Sequence, residues 1–162
     1  MNFVFTESRI IISRQSYFVI AIASTAMPGS SLWLLPPPDT PFNNHLQTLI
    51  SDSIPSCYPD TKAHSFIPHI TLTSNIPSDL HKSDPQVWLD SLDLPVSKSI
   101  TAEITAVDTD DKFFKKLTLR IAKQGALVDL ATTCRAHGVL NGDEAEAKKW
   151  AENEYLPHLS LM

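Results

Sequence analysis

Two pentads in the chain share one pattern of proline, histidine, apolar residue, hydroxyl residue and leucine: Pro68-His69-Ile70-Thr71-Leu72 and Pro157-His158-Leu159-Ser160-Leu161. Histidine titrates near neutrality, so one of two facing imidazoles can take a proton while the other gives one at the same pH. That pairing suits the opening of a cyclic phosphodiester by water. One ring deprotonates the water for in-line attack on phosphorus, and the other protonates the departing ribose oxygen on the far side. Thr71 and Ser160 would donate to the non-bridging oxygens as negative charge builds on them. A strained five-membered cyclic phosphate needs less assistance than an acyclic diester. The chemistry therefore requires no metal and no cofactor, and the sequence offers no carboxylate cluster that would house a metal.

The elements that position these groups follow from side-chain direction. Residues two apart on a strand share a face, so His69 emerges with Thr71 and His158 with Ser160, while Ile70 and Leu72 pack on the opposite face. Proline at the head of each pentad removes a donor where a ladder has not yet begun. A bare His-x-Ser/Thr is expected about once by chance in a chain of this composition. His81-Lys82-Ser83 is such a match and is assigned to a loop. The shared flanking pattern on two strands is what carries the signal. Other histidines have ordinary explanations: His45 on a solvated helix face, His64 in a loop, His137 at a helix end. Trp33 either packs in the core between two leucines or stacks a base. Lys115 and Lys116 alternate faces of a strand, one of which could meet a phosphate.

Around the pentads, Ser31 to Leu35 reads as a strand stopped by three prolines. Phe42 to about Ser53 has helical spacing, with Asp39 and Thr40 as candidate caps. A strand is predicted over Phe66 to Ser74, and a short helix opens at Asp84-Pro85 and runs to about Leu92 with Val87, Trp88 and Leu92 inward. Ser99 to Val107 and Phe113 to Ala122 alternate as two strands of a hairpin around a turn at Asp108 to Asp111. Leu127 to His137 reads as a helix ending at Gly138, and Asp143 caps another over about Glu144 to Asn153. Leu156 to Met162 is the last strand. The order suits an α+β protein with antiparallel sheet rather than a parallel βαβ series.

The composition bounds what the chain binds. At 162 residues with 43% hydrophobic and 19% charged residues, it suits one domain with a real core. A net charge of -5 argues against a protein that coats nucleic acid. The densest basic group, Lys112, Lys115 and Lys116, sits beside Asp108, Asp110 and Asp111. A small anionic substrate is compatible with that balance and extended nucleic acid is not. Cys57 and Cys134 have no metal-binding spacing, and reduced thiols are expected. Residues 1–26 read as an extension to a domain over residues 27–162. Either it is a weak secretory signal, with Arg9 and Arg14 ahead of the apolar run Tyr17 to Ala23, or the start is misassigned and Met27 opens the protein. The second reading is preferred. The apolar run is too short to span a membrane.

With Ser31-Leu32-Trp33-Leu34 and Phe113-Phe114-Lys115-Lys116, the pentads make residues from about Met27 to Met162 resemble the 2H phosphoesterase superfamily. Within it the chain is most similar to the fungal 2′,3′-cyclic-nucleotide 3′-phosphodiesterases. The resemblance implies a two-lobed, pseudo-symmetric α+β fold with a cleft between antiparallel sheets, each supplying one histidine motif. It also implies hydrolysis of ADP-ribose 1″,2″-cyclic phosphate, a by-product of tRNA splicing, and of nucleoside 2′,3′-cyclic phosphates to 2′-phosphates. By motif match His69 and His158 are catalytic and Thr71 and Ser160 bind the phosphate. A monomer is expected, cytoplasmic or associated with Golgi or other endomembranes. Family members continue past the second motif, so a truncated C-terminal part is a further expectation. Two other readings compete: a 2H enzyme processing RNA ends or resembling a 2′-5′ RNA ligase, and an inactive nucleotide-binding fragment.

Overall fold

A computed structural model describes residues 10–11, 19–24, 29–61, 63–81, 84–94, 100–110 and 116–162, the first two segments by their backbone only. The rest of residues 1–28, the cue Phe113-Phe114-Lys115, and Asp111, Lys112, Lys82 and Ser83 lie outside the described residues. Among the described residues the strands are β1 (Ile10–Ile11), β2 (Val19–Ser24), β3 (Ser30–Leu35), β4 (Ile70–Ile76), β5 (Ile104–Asp108), β6 (Thr118–Ile121) and β7 (His158–Ser160). They form one antiparallel sheet in the order β1-β2-β3-β4-β7-β6-β5. The two pentad strands, β4 and β7, are hydrogen-bonded neighbours in its middle. The α+β class with antiparallel sheet is thus observed. Its two halves, β1 to β4 and β5 to β7, are joined at that pairing into one continuous sheet.

The element order from Ser30 onward follows the sequence pattern, and local chemistry accounts for the boundaries. Helix α1 (Pro41–Thr48) is capped by Thr40, whose hydroxyl accepts from the Asn43 amide at 3.2 Å. Asp39, the other candidate cap, instead turns the chain with φ +64°. A π-helical turn (Leu49–Ser53) carries α1 into α2 (Ile54–Cys57). After α3 (Ser78–His81), Asp84 caps α4 (Pro85–Asp90) through bonds from the Gln86 and Val87 amides. On α4 Leu89 is buried and, as expected, Trp88 and the following Leu92 pack against the core, whereas Val87, also expected inward, is 64% exposed. The hairpin of β5 and β6 forms, but its outer strand is shorter than expected and leaves Ile104 and Val107 exposed. Among the described residues β5 is an edge strand of the sheet.

Helix α5 (Gly125–Val139) runs past Gly138, the glycine expected to end it. Gly138 is buried against β4, where an added Cβ would lie 3.2 Å from Ile76 Cγ1, so the missing side chain sets a close helix–sheet approach. The helix ends instead at Asn141 and Gly142, both at positive φ, with the Gly142 amide donating to the Ala136 carbonyl at 2.9 Å. Asp143 caps α6 (Glu144–Asn153) as its position predicts.

One face of the sheet carries the core. Leu32, Leu34, Ile70, Leu72, Ile76, Leu159 and Leu161 meet Leu46, Ile50 and Ile54 of the first helices and Leu127, Leu130, Ala131 and Cys134 of α5. Burial pushes the Cys134 thiol up to about 12, so it is an inert apolar filler. Cys57 and Cys134 are both free thiols. Among the described residues no helix is long and apolar enough to cross a membrane.

Candidate active site

The register at the centre of the sheet builds the site. Ile70 pairs with Leu159, and both are buried on the core face. In an antiparallel ladder the next residues outward are also partners and point the other way. His69 therefore lies opposite Ser160, and Thr71 opposite His158, all four on the face away from the core. The histidines occupy one diagonal of this rectangle and the hydroxyls the other. Diagonal neighbours stand about 7–8 Å apart, a gap in which a phosphate can touch all four. The four residues named by motif are thus brought to one place.

The two imidazoles are held in the same way. His69 Nδ1 is 2.8 Å from the Ile67 carbonyl oxygen, and His158 Nδ1 is 2.9 Å from that of Leu156. A carbonyl only accepts, so each Nδ1 carries the hydrogen and donates it to the residue two positions back. In both rings this leaves Nε2 as the nitrogen that exchanges protons. The repeated proline contributes to that geometry: Pro68 and Pro157 are buried and hold the chain extended between the accepting carbonyl and the histidine.

Beyond this shared anchor the histidines differ. The His69 ring stacks on Trp33 with centroids 3.9 Å apart and planes 17° from parallel, and Phe66 meets it edge-on at 6.2 Å. Trp33 is cross-strand from Thr71 and only 9% exposed, so its ring forms the wall behind His69. Desolvation in that setting holds the His69 pKa below 6.5, the bond to Ile67 opposes the shift, and the proximity of His158 adds to it. His158 faces the other flank. A cavity of about 590 Å³ opens beside it, lined by residues of β5, β6 and the segment leading into β7.

Strand β6 adds two groups that the sequence pattern did not single out. Thr118 pairs with Ser160 and Arg120 with His158, which puts both on the site face. Their signal was the alternation against apolar Leu117, Leu119 and Ile121, but only the β6–β7 register says that their face is this one. Tyr155 supports the rectangle from below, its hydroxyl donating to the Thr71 carbonyl at 3.3 Å. Burial pushes its own pKa well above the ordinary tyrosine value.

The remaining histidines stay away from these groups. His81 is not in an exposed loop as expected: it ends α3, is buried, and lies 2.9 Å through Nε2 from Ser30 Oγ. Its ring lies 6.2 Å from that of Trp88. His45 and His64 are exposed and His137 closes α5. Lys116 is exposed. Among the described residues no three His, Cys, Asp or Glu side chains gather to hold a metal ion.

Comparison with known proteins adds a family. A family described as "cyclic phosphodiesterase-like protein" matches residues 27–162. A 2′,3′-cyclic-nucleotide 3′-phosphodiesterase of Phaeosphaeria nodorum is 44% identical over 136 residues, covering 84% of this chain and 69% of the relative. Proteins of the same name from Neurospora crassa and Yarrowia lipolytica are 35% and 28% identical, with 84% and 83% of this chain and 71% and 72% of the relatives covered.

Proposed function

Because the chain belongs to the cyclic phosphodiesterase-like family, we propose that it hydrolyses nucleoside 2′,3′-cyclic phosphates to 2′-phosphates and ADP-ribose 1″,2″-cyclic phosphate by the same chemistry. In the nucleoside case water adds to phosphorus, the bond from phosphorus to the 3′ oxygen breaks, and that oxygen leaves as a hydroxyl. The observation that carries this reading is the central rectangle, with two Nε2 atoms on one diagonal and two hydroxyls on the other. The bonds from Nδ1 to Ile67 and Leu156 fix both rings so that each presents Nε2.

The chemistry follows from those positions. A neutral Nε2 accepts the proton of the attacking water, while a protonated Nε2 across the diagonal donates to the departing oxygen. Thr71 and Ser160 donate to the non-bridging oxygens, where the transition state gathers charge. A pair of acid and base, each contributing about 10²–10⁴-fold, needs opposite protonation states at one pH. The unlike surroundings of His69 and His158 supply that asymmetry. The substrate is a small nucleotide, handled by a cytoplasmic monomer that clears the cyclic phosphate left by tRNA splicing.

The test is turnover of adenosine 2′,3′-cyclic phosphate in the presence of EDTA, with the product identified by phosphorus NMR. Adenosine 2′-phosphate is expected, with at least a hundredfold loss of kcat in His69→Ala and His158→Ala. A 3′-phosphate product, or unchanged turnover in either variant, would refute the assignment.

A further inference from the structure

The repeat that carries the reacting groups extends two residues ahead of each pentad. Phe66-Ile67 precedes Pro68 and Tyr155-Leu156 precedes Pro157, each an aromatic residue followed by an aliphatic one. Exposure alternates alike along both copies: Ile67 and Leu156 are exposed, the prolines buried and the histidines half-buried. A residue before proline is held extended, so each aliphatic side chain shares the face of the histidine two positions on. Its carbonyl anchors that same ring. The anchor uses only the backbone and does not account for the side chain. An apolar side chain open to water beside a site for an anion calls for an apolar part of the substrate.

The need for such a contact follows from symmetry. A nucleoside 2′,3′-cyclic phosphate has an approximate two-fold axis of its own, through phosphorus and the middle of the C2′–C3′ bond. Rotation about it exchanges the two ring oxygens, the two non-bridging oxygens, and the base with the C5′ hydroxymethyl group. The central rectangle has matching symmetry, with like groups at the ends of each diagonal. A phosphate seated with the two axes aligned meets the same four groups in either orientation. One orientation sets the 3′ oxygen opposite the attacking water, and the other sets the 2′ oxygen there. The rectangle therefore cannot choose which oxygen leaves, and the choice falls to whatever holds the base at one end.

The two ends differ. At the Ile67 end the buried Trp33 stacks on His69, and Phe66 meets the ring edge-on. Ile67 itself is 37% exposed. At the other end Leu156 is 69% exposed and lines the cavity of about 590 Å³ together with His158. That volume lies within the range of small-molecule sites. An aliphatic side chain can meet the flat face of any base and offers no hydrogen bond that would tell one base from another. We propose that Leu156 sets the regiochemistry of ring opening: its side chain holds the base on the His158 flank, which puts the 3′ oxygen opposite the attacking water. Water then adds to phosphorus, the bond to the 3′ oxygen breaks, and that oxygen takes a proton, leaving the 2′-phosphate. The inference rests on the cyclic phosphodiesterase reading and names the residue that decides its product.

The test measures the ratio of adenosine 2′-phosphate to adenosine 3′-phosphate formed from adenosine 2′,3′-cyclic phosphate, by phosphorus NMR, in wild type, Leu156→Ser, Leu156→Met and Ile67→Ser. Leu156→Ser should raise the share of 3′-phosphate about tenfold or more, the discrimination that a small apolar contact provides. Leu156→Met keeps an apolar side chain and should restore the wild-type ratio, while Ile67→Ser should leave the ratio unchanged. Both positions are exposed, so the variants keep the fold. A substitution that only loosened the structure would slow turnover without changing the product. Wild type acting on 1-deoxyribose 2,3-cyclic phosphate, which has no base, should give both products. An unchanged ratio in Leu156→Ser, an equal change in Ile67→Ser, or a single product from the baseless substrate would overturn the proposal and leave the hydrolase reading standing. Absence of turnover in wild type would overturn both.

Discussion

Replacing Trp33 with leucine tests whether the wall behind His69 acts on the reaction or only on the fold. The indole is 9% exposed and lies 3.9 Å from the imidazole, nearly parallel to it. Truncating a buried Trp to Ala costs about 3–5 kcal/mol, and leucine recovers part of that by filling some of the volume. Trp33→Leu should therefore fold, with a lowered Tm. The stack itself is worth about 0.5–1.5 kcal/mol beyond area burial. If that energy holds His69 in its productive orientation, its loss lowers kcat by about 2- to 12-fold, since about 1.4 kcal/mol is a factor of ten. Water admitted to the ring also relieves the desolvation that depresses its pKa. The His69 titration then moves up toward 6.5, and the limb of the rate profile that reports it moves with it. The assays are a pH series of kcat on adenosine 2′,3′-cyclic phosphate and an NMR titration of the His69 Cε1 proton. Trp33→Phe, which keeps a ring, should recover most of both effects. A cooperatively melting Trp33→Leu protein with unchanged kcat and unchanged His69 titration would refute the reasoning. A loss confined to KM would show instead that the indole meets the base of the substrate.

Four further outcomes follow from other parts of the structure. Thr71→Val and Ser160→Ala should each lower kcat by about 10²-fold, the cost of losing one donor to a developing oxyanion, as read by steady-state kinetics. Because the folded-state pKa of His69 is depressed, the protein binds fewer protons there than the unfolded chain does; its contribution to stability is full above 6.5 and is lost as pH falls from 6.5 through the folded value, a slope that urea melts should show and His69→Asn should abolish. Tyr155→Phe removes the bond to the Thr71 carbonyl and should cost about 0.5–1.5 kcal/mol in a urea melt. Asp143→Ala removes the hydroxyl-free carboxylate cap of α6, whose oxygen accepts from the Glu146 amide at 3.0 Å, and should cost about 0.5–2 kcal/mol.

Local chemistry was legible in the sequence wherever a few neighbouring residues decide the outcome. Thr40, Asp84 and Asp143 cap the helices that follow them because a short polar side chain ahead of an apolar repeat has few better partners. Where two local signals competed, packing chose between them. Gly138 reads in the sequence as the end of α5, and Gly142 follows four residues on. The first is consumed by the close approach to Ile76, and the positive φ falls to the second. Val87 and Leu89 were equally apolar, and only the position of the core says that Leu89 faces it. His81 shows the same limit from the other side: a polar motif in a short segment read as loop, yet the ring is buried beside Ser30, a partner 51 residues away in the chain.

The candidate site divides along the same line. Alternation on each pentad strand put a histidine and a hydroxyl on one face, but it could not say that the two faces are one. That follows from a single pairing, Ile70 with Leu159, between residues far apart in the chain. Once it is made, the likeness of the pentads becomes geometry. A two-fold relation at the β4–β7 pairing exchanges His69 with His158, Thr71 with Ser160 and Ile67 with Leu156. It also exchanges the strands outside them, and there the symmetry stops. β3 sets Trp33 across from Thr71, whereas β6 sets Thr118 across from Ser160 and Arg120 across from His158. An acid and a base must differ in protonation at one pH, so two identical histidines in identical surroundings would serve poorly. On the proposed function the repeated residues supply the reacting groups, and the residues that fail to repeat make their surroundings unlike: an indole against His69, an open polar flank beside His158.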